Sequence, residues 1–146
     1  MPIPFFSFEK MNAALGQQPQ AAFQHFWEKQ WYILGESVAR FEAEYAAWNG
    51  VQHCIGVANG LDALILSLRA LGIGAGDEVI VPSNTYIATW LAVSHVGARP
   101  IPVEPSLETL NIDTNLIERS ITKATRAILP VHLYGRACDK IGRAHV

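Results

Sequence analysis

The sequence predicts an α/β fold in which helices flank a mainly parallel sheet. Short apolar segments alternate with helical segments of about ten to fifteen residues, and no internal repeat interrupts this order. Strands separated by such helices form βαβ units with right-handed crossovers. With 146 residues, 50% of them hydrophobic, the chain is long enough for one such core and too short for two ordinary domains.

The first part of the chain is predicted to be helical. Residues 21–32 are rich in aromatic side chains and predict one helix, and residues 38–48 predict a second. We expect Ser37 to cap the second helix and Gly50 to end it. Its apolar face is formed by four side chains at spacings of three and four: Val38, Phe41, Tyr45 and Trp48.

Strands and helices then alternate to the end of the chain. The predicted strands are residues 53–58, 77–82, 99–104 and 127–132. The predicted helices are residues 61–71, 85–96 and 114–121. Because Pro100 and Pro102 cannot donate to a sheet ladder, the third strand is expected at an edge. Ligands of such sheets bind beyond the carboxyl ends of the strands, which selects four loops: 59–62, 83–86, 104–106 and 133–136.

The first of these loops, Asn-Gly-Leu-Asp, opens a helix. The amides of Leu61, Asp62 and Ala63 are expected to be unpaired donors at the positive end of the helix, where they can hold a phosphate. Gly60 permits either a positive φ or the close approach of a ligand. The alternative is a plain strand-to-helix turn in which Asp62 completes the cap.

The other loops have weaker signals. Tyr86 can stack on a flat ligand or pack between its helix and the sheet. His132 ends an apolar strand, where an isolated histidine is more often hydrogen-bonded structure than a catalyst. Glu104 and Asp113 are too far apart in sequence to form a recognisable carboxylate pair, and Ser83 has no partner base at a recognisable spacing.

Composition excludes several classes of function. A formal charge of -2 without a basic stripe argues against nucleic acid as a partner. Because the sequence has neither a membrane-length apolar run nor a secretion signal, we expect no membrane partner and a cytoplasmic location. Cys54 and Cys138 form neither a disulfide framework nor a metal site, so no metal is predicted. The glycine spacing at 56 and 60 does not match a dinucleotide fingerprint.

Five segments in order resemble the DegT/StrS sugar aminotransferases. They are WYILG at 31–35, VANGLDAL at 57–64, GDEVIVP at 76–82, NTYIA at 84–88 and PVHLYG at 130–135. The resemblance spans residues 3–139. It implies the N-terminal part of the large domain of the aspartate-aminotransferase (type I) fold, incomplete here. It also implies a homodimer that uses pyridoxal 5'-phosphate (PLP) to transfer an amino group from glutamate to a nucleotide-linked keto-deoxysugar.

The resemblance also implies roles for single residues. The amides of Gly60 and Leu61 would hold the cofactor phosphate, and Tyr86 would stack on the pyridine ring. Leu61 stands where the family often has threonine, so a side-chain contact to the phosphate is lost. VANGLDAL, WYILG and the VEP segment at 103–105 resemble the enzymes that aminate the third sugar carbon of dTDP-linked keto-6-deoxyhexoses.

This chemistry requires a lysine that binds the cofactor and moves protons, and a carboxylate near the pyridine nitrogen. Neither is identifiable in the sequence. The family's catalytic lysine lies beyond residue 139, and none of the four lysines matches its position: Lys10, Lys29, Lys123 and Lys140. The expected domains are an N-terminal arm and helix at 1–35 and a partial PLP-binding domain at 36–139.

The last seven residues, 140–146, are expected to be a non-native tail. Residues 141–146 can be encoded by ATC GGA AGA GCA CAC GTC, the start of a widely used sequencing adapter.

In the family's strand order the first strand lies beyond three later strands, so residues 53–59 would lack a sheet neighbour. We expect this chain alone to be poorly folded and inactive. Two other functions stay open: a sugar dehydratase of the same family, with histidine at the lysine position, and a short non-catalytic module for a phosphate ligand or partner.

Overall fold

A computed structural model describes residues 4–138, and its contacts divide the chain into two compact units after Gly56. The predicted tail at 140–146 lies outside the described residues. The first unit contains three helices: α1 (Glu9–Leu15), α2 (Gln18–Lys29) and α3 (Glu36–Asn49). The second unit contains α4 (Gly60–Ala70), β1 (Glu78–Pro82), α5 (Ile87–His95), β2 (Arg99–Val103), α6 (Thr114–Ile117) and β3 (Thr125–Ile128). Within residues 4–138, no helix has the length and apolarity required to cross a membrane.

The helices of the first unit differ from the prediction at their ends. α1 was not predicted, although its residues are mostly good helix formers and its first amide, of Glu9, donates to Ser7 Oγ at 3.2 Å. The prediction that Ser37 caps α3 was wrong, because the helix begins one residue earlier and Gly35 is its N-cap. Gly50 ends α3 at a φ of 68°, as predicted.

The aromatic face of α3 forms as predicted. The rings of Phe41 and Tyr45 stack with centroids 5.4 Å apart, and Trp48 follows at 5.7 Å from Tyr45. All three side chains are exposed, and Trp48 is 79% accessible. The amphipathic pattern therefore predicted the helix and its face correctly, while this chain does not bury that face.

The second unit contains the predicted parallel sheet, with strand order β2-β1-β3. All five residues of the central strand β1 are buried. β2 is an edge strand, as its two prolines predicted. β3 begins at Thr125, two residues before the predicted strand, and ends at Ile128.

The predicted strand at residues 53–58 is wrong for this chain. No strand forms there, and Ile55 is 78% exposed. A strand requires a neighbour that supplies hydrogen bonds, and both edges of β1 are already paired, with β2 and with β3. The apolar side chains of Ile55 and Val57 therefore stay exposed.

Each face of the sheet has its own core. Val79 and Val81 of β1 point to one side, where they pack with buried residues of α4 and α5. Ile80 points to the other side and packs against Ile112 and Ile117. These three β1 side chains are fully buried, each contributing about 1.5–3 kcal/mol relative to an exposed position. Successive side chains of β1 thus alternate between the two faces of the sheet and contribute to a core on each.

The amino edge of the sheet is closed by a buried carboxylate. Glu78 is 3% exposed and accepts hydrogen bonds from Thr122 Oγ1 at 2.6 Å, from Thr125 Oγ1 at 3.4 Å and from the Arg99 guanidinium. The hydrogen bond from Thr122, followed by that from Arg99, holds the pKa of this carboxyl below its usual range. The network joins all three strands at the edge where they begin.

Candidate functional site

The candidate site lies at the opposite edge of the second unit, where β1 and β2 end. Helix α4 reaches β1 through the short segment 71–77, so it runs back along the sheet and its N-terminus points toward this carboxyl edge. The helix N-terminus and the loops at 83–86, 104–113 and 129–138 therefore meet at one edge. This is where a parallel sheet places its ligands.

The N-terminus of α4 leaves two amides available. Asn59 is the N-cap: its Oδ1 accepts from the Asp62 amide at 2.9 Å, and its backbone carbonyl accepts from the Ala63 amide at 3.2 Å. The expectation of three unpaired amides at 61–63 was therefore wrong for Asp62 and Ala63. Among the residues described, no acceptor is recorded for the amides of Gly60 and Leu61.

Gly60 leaves open space beside its backbone, whereas the side chain of Leu61 packs against the core. Gly60 does not have a positive φ, so that reason for the glycine was wrong. A methyl group built on Gly60 would meet no atom within 4 Å, which leaves room for a ligand to approach the backbone. The Leu61 side chain packs against the core beside α4. The leucine at this position therefore contributes to packing, while its amide stays available.

The ring of Tyr86 lies open at the same edge. It is 74% exposed, so the alternative that it packs between α5 and the sheet was wrong. Its segment is held by backbone and side-chain bonds around it: the Ser83 amide donates to the Val103 carbonyl at 2.9 Å, and the hydroxyls of Thr85 and Thr89 lie 2.9 Å apart. Tyr86 begins α5 without capping it through its own side chain.

The loop after β3 is a compact turn. His132 Nδ1 accepts from the Cys138 amide at 2.9 Å, which confirms the prediction of a hydrogen-bonded structural histidine. The Cys138 thiol donates to the Val131 carbonyl at 3.1 Å. Tyr134, at the tip of the turn, has a φ of 54° in the left-handed region.

Sequence reasoning missed the contact between residues 104 and 113. The Asp113 amide donates to the Glu104 carbonyl at 3.0 Å, and Pro105 pairs with Ile112 in an isolated antiparallel bridge. The backbones of the two acidic residues are thus adjacent in space, although eight residues lie between them in the sequence. Asp113 Oδ1 is engaged at 2.9 Å by the Asn115 amide, where it caps α6.

The lysines of the described residues lie away from this edge. Lys29 pairs with Glu36 at 3.1 Å in the first unit, and Lys10 is on α1. Lys123 precedes β3 and therefore lies at the amino edge of the sheet. Lys140 lies outside the described residues. Within residues 4–138, the candidate site thus contains two amides without a recorded acceptor and an exposed aromatic ring, but no lysine beside them.

The chain matches the model of the DegT/DnrJ/EryC1/StrS aminotransferase family over residues 13–142. It is 53% identical over 137 residues to a dTDP-3-amino-3,6-dideoxy-alpha-D-galactopyranose transaminase of Aneurinibacillus thermoaerophilus, covering 94% of this chain and 38% of the relative. It is 50% identical to a dTDP-3-amino-3,4,6-trideoxy-alpha-D-glucose transaminase of Streptomyces venezuelae, covering 94% of this chain and 36% of the relative. The chain therefore spans less than two fifths of the length of these relatives.

Solved structures agree with the sequence relatives. The crystal structure of DesV from S. venezuelae in complex with a ketimine intermediate matches with a TM-score of 0.88 and 50% identity, covering 94% of this chain and 37% of that one. NtdA from Bacillus subtilis with bound cofactor PMP matches with a TM-score of 0.86 and 33% identity, covering 94% and 32%. The predicted fold, a partial aminotransferase large domain with a parallel sheet flanked by helices, is confirmed. The chain belongs to the DegT/DnrJ/EryC1/StrS aminotransferase family.

Proposed function

We propose that this chain is the N-terminal part of a PLP-dependent aminotransferase that transfers an amino group from glutamate to a nucleotide-linked keto-deoxysugar. The observation that carries the proposal is the 53% identity to a dTDP-sugar transaminase across 94% of the chain. The open N-terminus of α4 supports it at the level of the site. We assign residues 1–35 to an N-terminal arm and helix and residues 36–139 to part of the PLP-binding domain.

The described residues fit the two ends of the cofactor. Its phosphate requires hydrogen-bond donors in a positive potential, and the amides of Gly60 and Leu61 supply both at the start of an eleven-residue helix. The open space above Gly60 allows the phosphate to approach the backbone. Its flat pyridine ring requires an aromatic or apolar surface, and Tyr86 exposes one at the same edge.

When bound, the cofactor supplies an electron sink that lets a proton leave the carbon bearing the amino group. The residues of this chain bind and orient it. Gly60 and Leu61 would hold the phosphate through their amides, and Tyr86 would stack on the ring and exclude water from it. Asp62 keeps its carboxylate on the cap, where it accepts from Asn59 Nδ2 at 3.1 Å. The proton-transferring lysine belongs to the part of the enzyme beyond residue 139.

The substrate and the assembly are parts of the same proposal. Two relatives bear the names of dTDP-3-amino-sugar transaminases, which supports a dTDP-linked keto-6-deoxyhexose aminated at its third carbon. The full-length protein is proposed to be a cytoplasmic homodimer. Here, full-length protein means the product of a reading frame that continues past Asp139.

The test begins with the source DNA. In the nucleotide record of this sequence, the codons for residues 140–146 are expected to match the adapter. Sequencing of the source DNA past Asp139 is expected to show an open frame that encodes a lysine in the remaining chain. The full-length protein is then purified and supplied with glutamate and a dTDP-linked 3-keto-6-deoxyhexose. We expect an amino sugar as product, detected by mass spectrometry, and 2-oxoglutarate in equal amount. A natural stop codon, or a folded full-length protein that does not bind PLP, would overturn the proposal.

A further inference from the structure

Two asparagine side chains form hydrogen bonds between the loops at the carboxyl edge. Asn84 Nδ2 donates to the Leu110 carbonyl at 3.0 Å. Asn111 Nδ2 donates to the carbonyls of Arg136 and Ala137, at 3.3 and 3.1 Å. The loop after β2 is therefore the middle member, tied on one side to the segment that carries Tyr86 and on the other to the turn after β3.

The middle loop has a strained backbone. Leu110 has a φ of 59°, in the left-handed region that residues other than glycine seldom adopt. Its amide donates to the Ser106 carbonyl at 2.8 Å, and the Ser106 amide donates to the Asn111 carbonyl at 2.9 Å. Such conformations persist where surrounding contacts hold them. The bond from Asn84 is one of these contacts, so it joins a fixed point of the middle loop to the segment at 83–86.

Tyr86 depends on its segment for its position. Among residues 4–138, no hydrogen bond is recorded for its hydroxyl and no aromatic ring pairs with its own. The ring is mostly exposed, so packing does not fix it either. Two side-chain bonds precede it in the sequence: the Thr85 hydroxyl pairs with Thr89 of α5 itself, and Asn84 bonds to a different loop. The bond from Asn84 is therefore the side-chain bond that ties the segment to a part of the protein outside α5.

We propose that Asn84 is a positioning residue of the cofactor site, which holds Tyr86 against the bound ring by tying its segment to the Leu110 carbonyl. The inference rests on the proposed function, because it concerns the same site. It assigns Asn84 no contact with the reacting atoms. A positioning residue of this kind acts only through the residue it positions, and that property can be measured.

The experiment is a double-mutant cycle in the full-length protein. The variants are Asn84→Ala, Tyr86→Ala and the double variant, and PLP affinity is measured from the absorbance of the bound cofactor. We expect Asn84→Ala alone to weaken PLP binding about fivefold, the loss of one ordinary hydrogen bond. In the Tyr86→Ala background it should have no further effect, because its only target is gone.

Asn115→Ala is the matched control, since this exposed asparagine lies on α6 and its side chain makes no recorded bond among the described residues. It should bind PLP as the wild type does. Thermal unfolding of every variant separates a loss of fold from a loss of positioning, and Asn84→Leu replaces the alanine variant if that one does not fold. Equal PLP affinity in wild type and Asn84→Ala, or the same loss in both backgrounds, would overturn the inference. Failure of the wild-type protein to bind PLP would instead refute the proposed function.

Discussion

The two edges of the sheet differ in how fully their polar groups are used. At the amino edge, the buried Glu78 carboxylate accepts from Arg99, Thr122 and Thr125, and every strand contributes to one closed network. At the carboxyl edge, two amides at the start of α4 have no recorded acceptor among residues 4–138, and an aromatic ring is exposed. The difference shows that one edge stabilises the sheet, and it supports the proposal that the other edge binds the cofactor.

If this comparison is correct, substitutions at the carboxyl edge will affect binding and leave the fold intact. The largest effect is expected for Gly60→Leu in the full-length protein. The added side chain fits the backbone conformation but occupies the space through which the phosphate approaches. Loss of two hydrogen bonds to a charged group predicts that PLP binding weakens at least about a hundredfold, as measured by absorbance titration.

The control for that variant is Ala70→Leu, at the exposed far end of α4. It adds the same side chain to the same helix, and PLP affinity should not change. If Gly60→Leu bound PLP as the wild type does, the proposal that the phosphate binds at the N-terminus of α4 would be wrong.

Substitution at the amino edge should lower stability and leave PLP affinity unchanged. This effect is expected to be the second largest. The folded-state pKa of Glu78 is lowered, so its stabilising contribution is fully present above the carboxyl pKa of the unfolded chain and is lost as the pH falls through the folded-state value. Glu78→Gln should lower the unfolding temperature at neutral pH and flatten its decline in acid. PLP affinity of the folded protein should not change. Unfolding of both proteins is followed by circular dichroism from neutral to acidic pH, with Glu118→Gln as an exposed control.

Two substitutions of Tyr86 separate the contribution of its ring to PLP binding from that of its hydroxyl. Tyr86→Ala should weaken PLP binding about tenfold, the usual order for removal of a stacked aromatic side chain. Tyr86→Phe should bind PLP nearly as the wild type does, because no hydrogen bond of the hydroxyl is recorded among the described residues. A large loss in Tyr86→Phe would show that the hydroxyl contacts the ligand.

The smallest effect is expected for the cap of α4. Asn59→Ala removes the acceptor of the Asp62 amide and should cost about 1 kcal/mol of unfolding free energy, measured by chemical denaturation. Asn59→Asp keeps an acceptor and serves as the control. If Asn59→Ala strengthened PLP binding, the freed Asp62 amide would be implicated as a further donor to the phosphate.

Most of the site could be located from sequence because its signals are local. The helix start at Gly60 and the end of β1 at Pro82 follow from periodicity and turn residues within a few positions. Which amides stay available could not be read from the same pattern, because that depends on the direction of the Asn59 side chain. The resemblance to a family, and not the spacing, singled out Gly60 and Leu61, and those assignments remain predictions.

The sequence by itself determined the alternation of strands and helices, the edge position of β2 and the family. These properties follow from side-chain periodicity, from the missing amides of Pro100 and Pro102, and from motifs in order. Only the tertiary structure decided that residues 53–58 form no strand, that Tyr86 is exposed and that Asn84 reaches Leu110. Each of these features depends on residues that are distant in the sequence. Strand pairing, burial and loop contacts join such residues, so a local sequence pattern does not contain them.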